Sequence, residues 1–258
     1  MEHLWSGAGL QPQSTEEVAA VMDEDRRSAW KNICRRTVSR WSLMLALPAA
    51  LSISALPAAA QTAADSSITD VELMQRADAA RIYGTDTTRA TIHEFVDFAC
   101  STCRAFYLER SDSLKAKYVE SGEVNLVVHT FVIPRLMRGY HAAEAAFCAG
   151  ALGDREGFEG MQRHLFTDQA DWRAMRDPVP GFVAYAEELG LSAEPFRDCL
   201  LRDAMAPLIM ADMRTAGLAR IPGTPTFVFL GPGQTNTEHQ FYGNEPMMMF
   251  DQFLARVQ

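Results

Sequence analysis

The sequence predicts an α/β fold that carries an inserted all-helical subdomain. Two stretches rich in β-branched and aromatic residues, 91–98 and 124–132, have the pattern of strands, and a helical pattern lies between them. A strand, helix, strand order favours a parallel pair of strands and an α/β core. About eighty residues with apolar positions at helical spacing follow, and strand patterns return after Pro225. A block of helices has therefore been placed inside an α/β unit.

Residues 1–60 have the pattern of an export leader with a signal peptide. Residues 26–40 hold six basic side chains and no acidic one, and residues 41–64 are uncharged and largely apolar. A basic stretch, an apolar stretch and small residues at the end form the three-part pattern of a secretory signal. We therefore expect cleavage after Ala60 and a mature chain that begins at Gln61.

An uncleaved anchor in the inner membrane is the alternative, because about twenty uncharged residues could just span a bilayer. Pro48 and Pro57 make the segment a weak span. Arg35-Arg36 resembles a twin-arginine signal, but Cys34 before the pair departs from the usual pattern, so the export route stays open. Export by either route would place the remaining four cysteines in an oxidising compartment.

The charge of the exported part argues against nucleic-acid binding. The chain has a formal charge of −9, and after residue 60 it holds 18 basic and 27 acidic side chains. A nucleic-acid partner requires clustered Lys and Arg that replace the counterions of the phosphates. We therefore expect no nucleic-acid partner.

The exported part divides into a short leading segment and one domain. Residues 61–80 are expected to form a tether or a leading helix, and the domain spans residues 81–258. Its first half has strand patterns at 81–83, 91–98 and 124–132 and a helical pattern from about Arg104 to Tyr118, which Gly122 ends.

The helical insertion is expected at about residues 135–216. Its helical segments are 140–152, 158–166, 181–189, 193–203 and 205–216, and breaks fall at Gly153, at 178–181 and at Gly190. The domain then closes with a buried strand at 226–230, a turn at 231–233, a last strand at 238–242 and a helix at 246–257.

Cys100 and Cys103 follow a strand directly, which places Cys100 at the N-terminus of the next helix. Free backbone N–H groups and the positive end of the helix dipole favour a thiolate there. The three-residue step brings the sulfur atoms within reach of each other, so the pair can close to a disulfide and reopen. A structural zinc site would need four nitrogen or sulfur ligands, and the sequence has no second C-x-x-C and no H-x-x-x-H, so we expect no metal.

Two separated motifs resemble those of a known family. Residues 94–103 read Glu-Phe-Val-Asp-Phe-Ala-Cys-Ser-Thr-Cys, and residues 223–226 read Gly-Thr-Pro-Thr at the start of a strand. In this order they resemble the DsbA-like thioredoxin-fold disulfide oxidoreductases of bacterial envelopes, over roughly residues 80–256. The resemblance implies a thioredoxin fold with an inserted all-helical subdomain.

The resemblance also implies roles for five residues. Cys100 would be the attacking or attacked sulfur, and Cys103 would resolve the mixed disulfide. Pro225 would follow a cis peptide bond, whose fixed bend would hold the Thr224 backbone against the Cys100 sulfur and position a substrate chain. Glu94 would be buried under the pair and would pass a proton to or from Cys103.

The identity of the buried acid has an alternative. Glu94 shares one strand face with Val96 and Phe98 by the two-residue period of a strand, and apolar neighbours would raise its pKa. Asp97 lies on the opposite face by the same period. It could be the buried acid instead, with Glu94 at an edge open to solvent.

The dipeptide between the cysteines departs from the family. Ser101 and Thr102 stand where strongly oxidising members tend to carry Pro-His, whose histidine helps to stabilise the thiolate. The dipeptide therefore leaves the direction of electron flow open.

Cys148 and Cys199 lie in apolar helical surroundings and are expected to be buried. They are either two small core residues or, in an oxidising compartment, a structural disulfide. Some relatives carry a second disulfide in the insertion, so both interpretations stay open.

These observations predict an exported thiol–disulfide oxidoreductase that acts on cysteine-containing envelope proteins in the periplasm. No organic cofactor is implied, because the disulfide stores the electrons, and turnover requires a membrane redox partner. A disulfide reductase or isomerase is the alternative within the enzyme class, although a dimeric isomerase would need an added dimerisation domain. A non-enzymatic protein, either a carrier of soft metals such as Cu(I) or a holdase, is the alternative outside it.

Overall fold

The computed structural model describes residues 69–84, 89–136 and 138–257. The signal segment and the cleavage site predicted after Ala60 lie outside these residues. Helix α1, Asp70–Ala80, is the first described element, and the Glu72 N–H donates to the Thr69 hydroxyl at its N-terminus at 3.2 Å. This bond satisfies one of the free N–H groups of the first turn. None of the described helices is long and apolar enough to cross a bilayer.

A five-stranded mixed sheet forms the centre of the domain, in the order β1-β3-β2-β4-β5. Strands β2 and β3 run parallel, and each other neighbouring pair is antiparallel. The predicted parallel pair is therefore confirmed. The strands are β1 (Ile82–Tyr83), β2 (Ala90–Val96), β3 (Val124–Thr130), β4 (Thr226–Leu230) and β5 (Gln240–Tyr242).

Strand β2 ends at Val96, two residues before its predicted end. The Asp97 side chain causes the turn, because its carboxyl oxygen accepts a hydrogen bond from the Ala99 N–H at 2.8 Å. The apolar helical pattern begins near Arg104, but the next helix begins at Ser101, directly after Cys100, as the position of Cys100 at a helix N-terminus predicts. It consists of α2 (Ser101–Phe106), a π-helical turn (Tyr107–Ser111), α3 (Asp112–Leu114) and a second π-helical turn (Lys115–Val119).

The segment between β3 and β4 is helical, as predicted. It contains a 3-10 turn (Pro134–Leu136), α4 (Arg138–Thr167), α5 (Gln169–Ala174), α6 (Val179–Glu188), α7 (Ala193–Leu201) and α8 (Ala206–Leu218). The backbone of α4 leaves the helical conformation at Gly153 and Asp154, where the sequence predicts a break. Helix α6 begins inside the predicted 178–181 break, because proline is tolerated in the first turn of a helix.

Helices cover both faces of the sheet. On one face, α2 and the closing helix α9 (Met247–Leu254) pack on β4. The Phe106 ring lies 4.6 Å from the Phe227 ring, and the Phe227 ring lies 4.9 Å from the Phe250 ring. On the other face, α8 covers a smaller apolar cluster that includes Phe95.

A buried polar network ties α1 and α8 to this second face. Arg81 donates to Asp78 and to Asp212, each at 2.7 Å. Nδ1 of His129 lies 2.8 Å from Asp212, and a ring nitrogen of His93 lies 2.9 Å from His129 Nε2. Burial opposes the ionisation of Asp212, but Arg81 and His129 outweigh it and lower its pKa to about 2.

Candidate active site

Cys100 and Cys103 lie at the start of α2, at one end of the sheet. Cys100 is the extended residue before the helix, and its Sγ lies 3.4 Å from the carbonyl oxygen of Thr224. Cys103 lies one turn later, and its exposed fraction is 1%, against 8% for Cys100. Both are free thiols in the structure. Cys100 is therefore the sulfur nearer to solvent and Cys103 the inner one.

The surroundings of the two sulfur atoms separate their pKa values. The hydrogen bond from the Cys103 thiol is the largest influence on Cys100 and outweighs burial. Together with Thr224 and the N–H groups of Thr102 and Cys103, it lowers the pKa of Cys100 to about 5. Burial raises the pKa of Cys103 well above its ordinary value. At neutral pH the reduced pair is therefore a thiolate at Cys100 and a thiol at Cys103.

The Thr224–Pro225 corner lies against this thiolate. The peptide bond between the two residues is cis. The Pro225 carbonyl oxygen accepts a hydrogen bond from Gly243 at 2.9 Å, and the Thr226 hydroxyl donates to the Gly223 carbonyl at 2.7 Å. The Thr224 hydroxyl is buried. Its interaction with the two sulfur atoms lowers the pKa of Cys100 and partly opposes the rise in the pKa of Cys103. The corner therefore contributes a hydroxyl group to the sulfur pair.

Glu94 is buried in the middle of the sheet. Its strand neighbours are Val128 of β3 and Phe227 of β4. Phe106, three residues after Cys103, packs on Phe227, so α2 covers the face that contains Glu94. Burial raises the pKa of Glu94 to about 7, and the positive charge of Lys115 partly opposes that shift.

Asp97 is buried as well, with an exposed fraction of 2%. Its carboxyl group accepts hydrogen bonds from the Ala99 N–H and from the Ile133 N–H, each at 2.8 Å. Burial raises its pKa to about 6. The sequence predicts that one of Glu94 and Asp97 is buried, and the structure shows that both are.

The sequence analysis missed Gln169, a buried residue of α5. Its side-chain amide donates to the carbonyl oxygen of Phe98 at 2.7 Å and to that of Cys100 at 2.9 Å. Trp172 anchors the same helix, because its indole N–H donates to the Leu165 carbonyl at 2.7 Å. A helix of six residues is too short to show a helical period of apolar residues, so no pattern in the sequence identifies Gln169. The one local signal is the large apolar side chain of Trp172, which the structure buries completely.

Cys148 and Cys199 are joined by a disulfide in the structure, with Cα atoms 6.0 Å apart. The bond links α4 to α7 inside the helical insertion. Beside it, Glu144 accepts hydrogen bonds from the Tyr140 hydroxyl and from the Met205 N–H. The disulfide therefore lies in the buried interior of the insertion. Within the residues that the structure describes, no group of three His, Cys, Asp or Glu side chains could hold a metal ion.

Solved structures with a similar fold include DsbA proteins. They include α-DsbA1 of Wolbachia pipientis, which is 16% identical with a TM-score of 0.60 over 69% of this chain and 89% of that chain. BdbD of Bacillus subtilis is 16% identical with a TM-score of 0.59, over 68% of this chain and 91% of that one. DsbA2 of Pseudomonas aeruginosa is 20% identical with a TM-score of 0.55, over 69% of this chain and 93% of that one.

These similarities confirm the resemblance that the two motifs indicate, at the level of the fold. No curated protein matches the chain. The family model described as Thioredoxin matches residues 76–238, which is more than half of the sequence. The chain therefore belongs to the thioredoxin family and has the fold of the DsbA proteins.

Proposed function

We propose that this protein is an exported thiol–disulfide oxidoreductase that exchanges disulfides with cysteines of envelope proteins. One observation carries the proposal: Cys100 lies at the helix N-terminus against the Thr224 carbonyl oxygen, while Cys103 is buried one turn further into the helix. This arrangement lowers the pKa of Cys100 to about 5 and raises the pKa of Cys103, so the outer sulfur favours the thiolate and the inner sulfur favours the thiol. A pair with this asymmetry can be attacked at one sulfur and resolved by the other.

The asymmetry favours oxidation of substrates. In that direction a substrate thiolate attacks Cys100 of the Cys100–Cys103 disulfide, and Cys103 leaves and takes a proton. A second substrate thiolate then attacks the substrate sulfur of the mixed disulfide, and Cys100 leaves as a thiolate. Two electrons have moved from the substrate dithiol to the pair. A low pKa at Cys100 stabilises this reduced product, so the disulfide form is an oxidant.

Glu94 is proposed as the group that handles the Cys103 proton. Glu94 lies on the face of the sheet that α2 covers, and α2 contains Cys103. A pKa of about 7 lets Glu94 give or take a proton near neutral pH. Thr224 and Pro225 are proposed to position the substrate chain, because their corner lies against Cys100.

Turnover needs a second redox partner, because each oxidised substrate leaves the pair reduced. We propose a membrane protein for this role and the periplasm or cell envelope as the location. The leader pattern of residues 1–60 and the DsbA relatives support both. Reduction or isomerisation of substrate disulfides is the alternative activity. A soft-metal carrier or a holdase is the alternative outside catalysis.

The test is a redox equilibrium of the purified protein, residues 61–258, against glutathione, together with transfer to a reduced two-cysteine peptide. We expect a strongly oxidising pair that oxidises the peptide stoichiometrically, and no transfer by Cys100→Ser. A strongly reducing pair that reduces insulin would support a reductase. Stoichiometric copper without any disulfide exchange would support a carrier.

A further inference from the structure

We propose that Asp97 is a positioning residue for the redox pair and that its carboxyl group takes up a proton as the Cys100 thiolate forms. The inference rests on the proposed exchange chemistry and goes beyond it. It adds a second buried carboxyl group, distinct from Glu94, that responds to the redox state of the pair.

Hydrogen bonds fix the Asp97 carboxyl group beside the C-x-x-C turn. One oxygen accepts from the Ala99 N–H and the other from the Ile133 N–H, each at 2.8 Å. The backbone carbonyl of Asp97 accepts from the Cys100 N–H at 2.9 Å. Asp97 thus holds the residue that precedes Cys100, the N–H of Cys100 itself and the segment that leads from β3 to α4.

Close packing leaves the carboxyl group no room to move away. Gly139, in the first turn of α4, lies against it, and a Cβ atom at this position would collide with one carboxyl oxygen and would be in tight contact with the other. Asp97 is fully covered at the same time. The pKa of a buried carboxylate that cannot move away rises when a negative charge appears nearby.

The charged groups that act on Asp97 come from two other elements. Burial is the main cause that raises its pKa to about 6, and the thiolate of Cys100, at the start of α2, raises it further. The two N–H groups lower it, and so does the positive charge of Arg173 on α5. Of these charged groups, the Cys100 thiolate is the one whose charge the redox reaction changes.

The coupling follows from charge balance. In the disulfide form Cys100 is uncharged, and Asp97 ionises more easily. Reduction by two electrons and one proton leaves a thiol at Cys103 and a thiolate at Cys100, whose charge opposes the Asp97 carboxylate. Asp97 thus has one pKa in the oxidised protein and a higher one in the reduced protein. At a pH between these two values, reduction of the pair also takes a further proton from solvent, and the Asp97 carboxylate binds it. The reduction potential should therefore fall more steeply with pH in the region around pH 6 than one proton for each two electrons requires.

The first test needs no substitution. Carboxyl ¹³C NMR of the wild-type protein should give a higher pKa for Asp97 in the reduced form than in the oxidised form, by about half a unit or more. Glu144 is a matched control, because it is also buried and titrates in the same range but is held by Tyr140 and Met205. Its pKa should change less than that of Asp97. Equal Asp97 values in the two forms would overturn the inference.

The second test uses Asp97→Asn and the reduction potential measured against pH. Without the Asp97 proton, the extra slope of the potential near pH 6 should disappear. The Cys100 pKa, about 5, should change little, because the Asp97 carboxyl group, with a pKa of about 6, is mostly protonated when Cys100 titrates. A purely structural role would lower stability and leave the slope of the potential unchanged. If the wild-type protein shows no disulfide exchange at all, the proposed function fails. If exchange proceeds and Asp97 does not respond, only this inference fails.

Discussion

The side-chain amide of Gln169 donates a hydrogen bond to the carbonyl oxygen of Cys100 at 2.9 Å. It also donates to the carbonyl oxygen of Phe98 at 2.7 Å, so both amide protons are used on the redox turn. Gln169 belongs to the helical insertion, and Cys100 belongs to the α/β unit. The two parts of the domain are therefore joined by hydrogen bonds at the redox turn itself.

Gln169→Leu should destabilise the protein by about 1–3 kcal/mol, because the substitution leaves a buried carbonyl oxygen without a donor. The Cys100 carbonyl keeps the Arg104 N–H at 3.1 Å, so the Phe98 carbonyl bears most of the loss. Denaturant unfolding measures the change. Gln75→Leu on the exposed side of α1 is the control and should have little effect. Equal effects of the two substitutions would contradict the assigned contact.

Cys103→Ser should trap substrates. Without the resolving sulfur, the mixed disulfide at Cys100 persists, and adducts with envelope proteins should appear as bands that a reductant removes. Cys100→Ser is the control and should give none. Bands of the same kind from Cys100→Ser would reverse the roles of the two cysteines.

Glu94→Gln should remove a pH dependence from both stability and exchange. The folded-state pKa of Glu94, about 7, lies above its ordinary value, so its contribution is fully present below pH 4.5 and is lost as the pH rises through 7. The wild-type protein should lose about 3 kcal/mol over this window relative to Glu94→Gln, as an upper figure. The exchange rate of the variant should also depend less on pH, and its pair should be easier to reduce. Parallel stability curves for the two proteins would remove Glu94 from the proposed proton transfer.

Removing the Cys148–Cys199 disulfide should lower stability and leave the redox pair intact. The bond closes a loop with a sequence separation of 51, which the chain-entropy model values at about 4 kcal/mol. A Cys148→Ala/Cys199→Ala protein tests this by denaturant unfolding and by its equilibrium with glutathione. Thiol counting in denatured, unreduced Cys100→Ser/Cys103→Ser protein should find no free thiol in residues 61–258. Two free thiols there would show that the bridge does not form.

Protein recovered from the cell envelope should begin at Gln61. The small residues at the end of the leader pattern give the physical reason, because signal cleavage selects small side chains next to the cut. N-terminal sequencing measures the start directly. A start upstream of Trp41 would instead indicate an uncleaved anchor.

The sequence was sufficient for the parts of the site that depend on strong local patterns. The C-x-x-C after a strand, the Gly-Thr-Pro-Thr before a strand and the parallel β2–β3 pair are of this kind. The two-residue period of a strand did not predict the position of the Asp97 side chain. Strand β2 ends at Val96, and a residue in the following turn belongs to neither face of the sheet. Gln169 could not be found, since its contacts to Phe98 and Cys100 span about seventy positions of the chain.

The register of β2 against β3 also determines which side chain of β2 lies under the redox pair. Glu94 lies beside Val128 under α2, and its neighbour His93 lies beside Val127 and contacts His129 on the face under α8. Successive side chains of a strand point to opposite faces, so a shift of one residue would exchange a carboxyl group for an imidazole under the cysteines. Such a shift would also place the Glu94 carboxylate next to the Asp212 carboxylate, which is already paired with Arg81. The alignment of two strands therefore specifies which titratable side chain lies under the cysteines as firmly as the identity of residue 94 does.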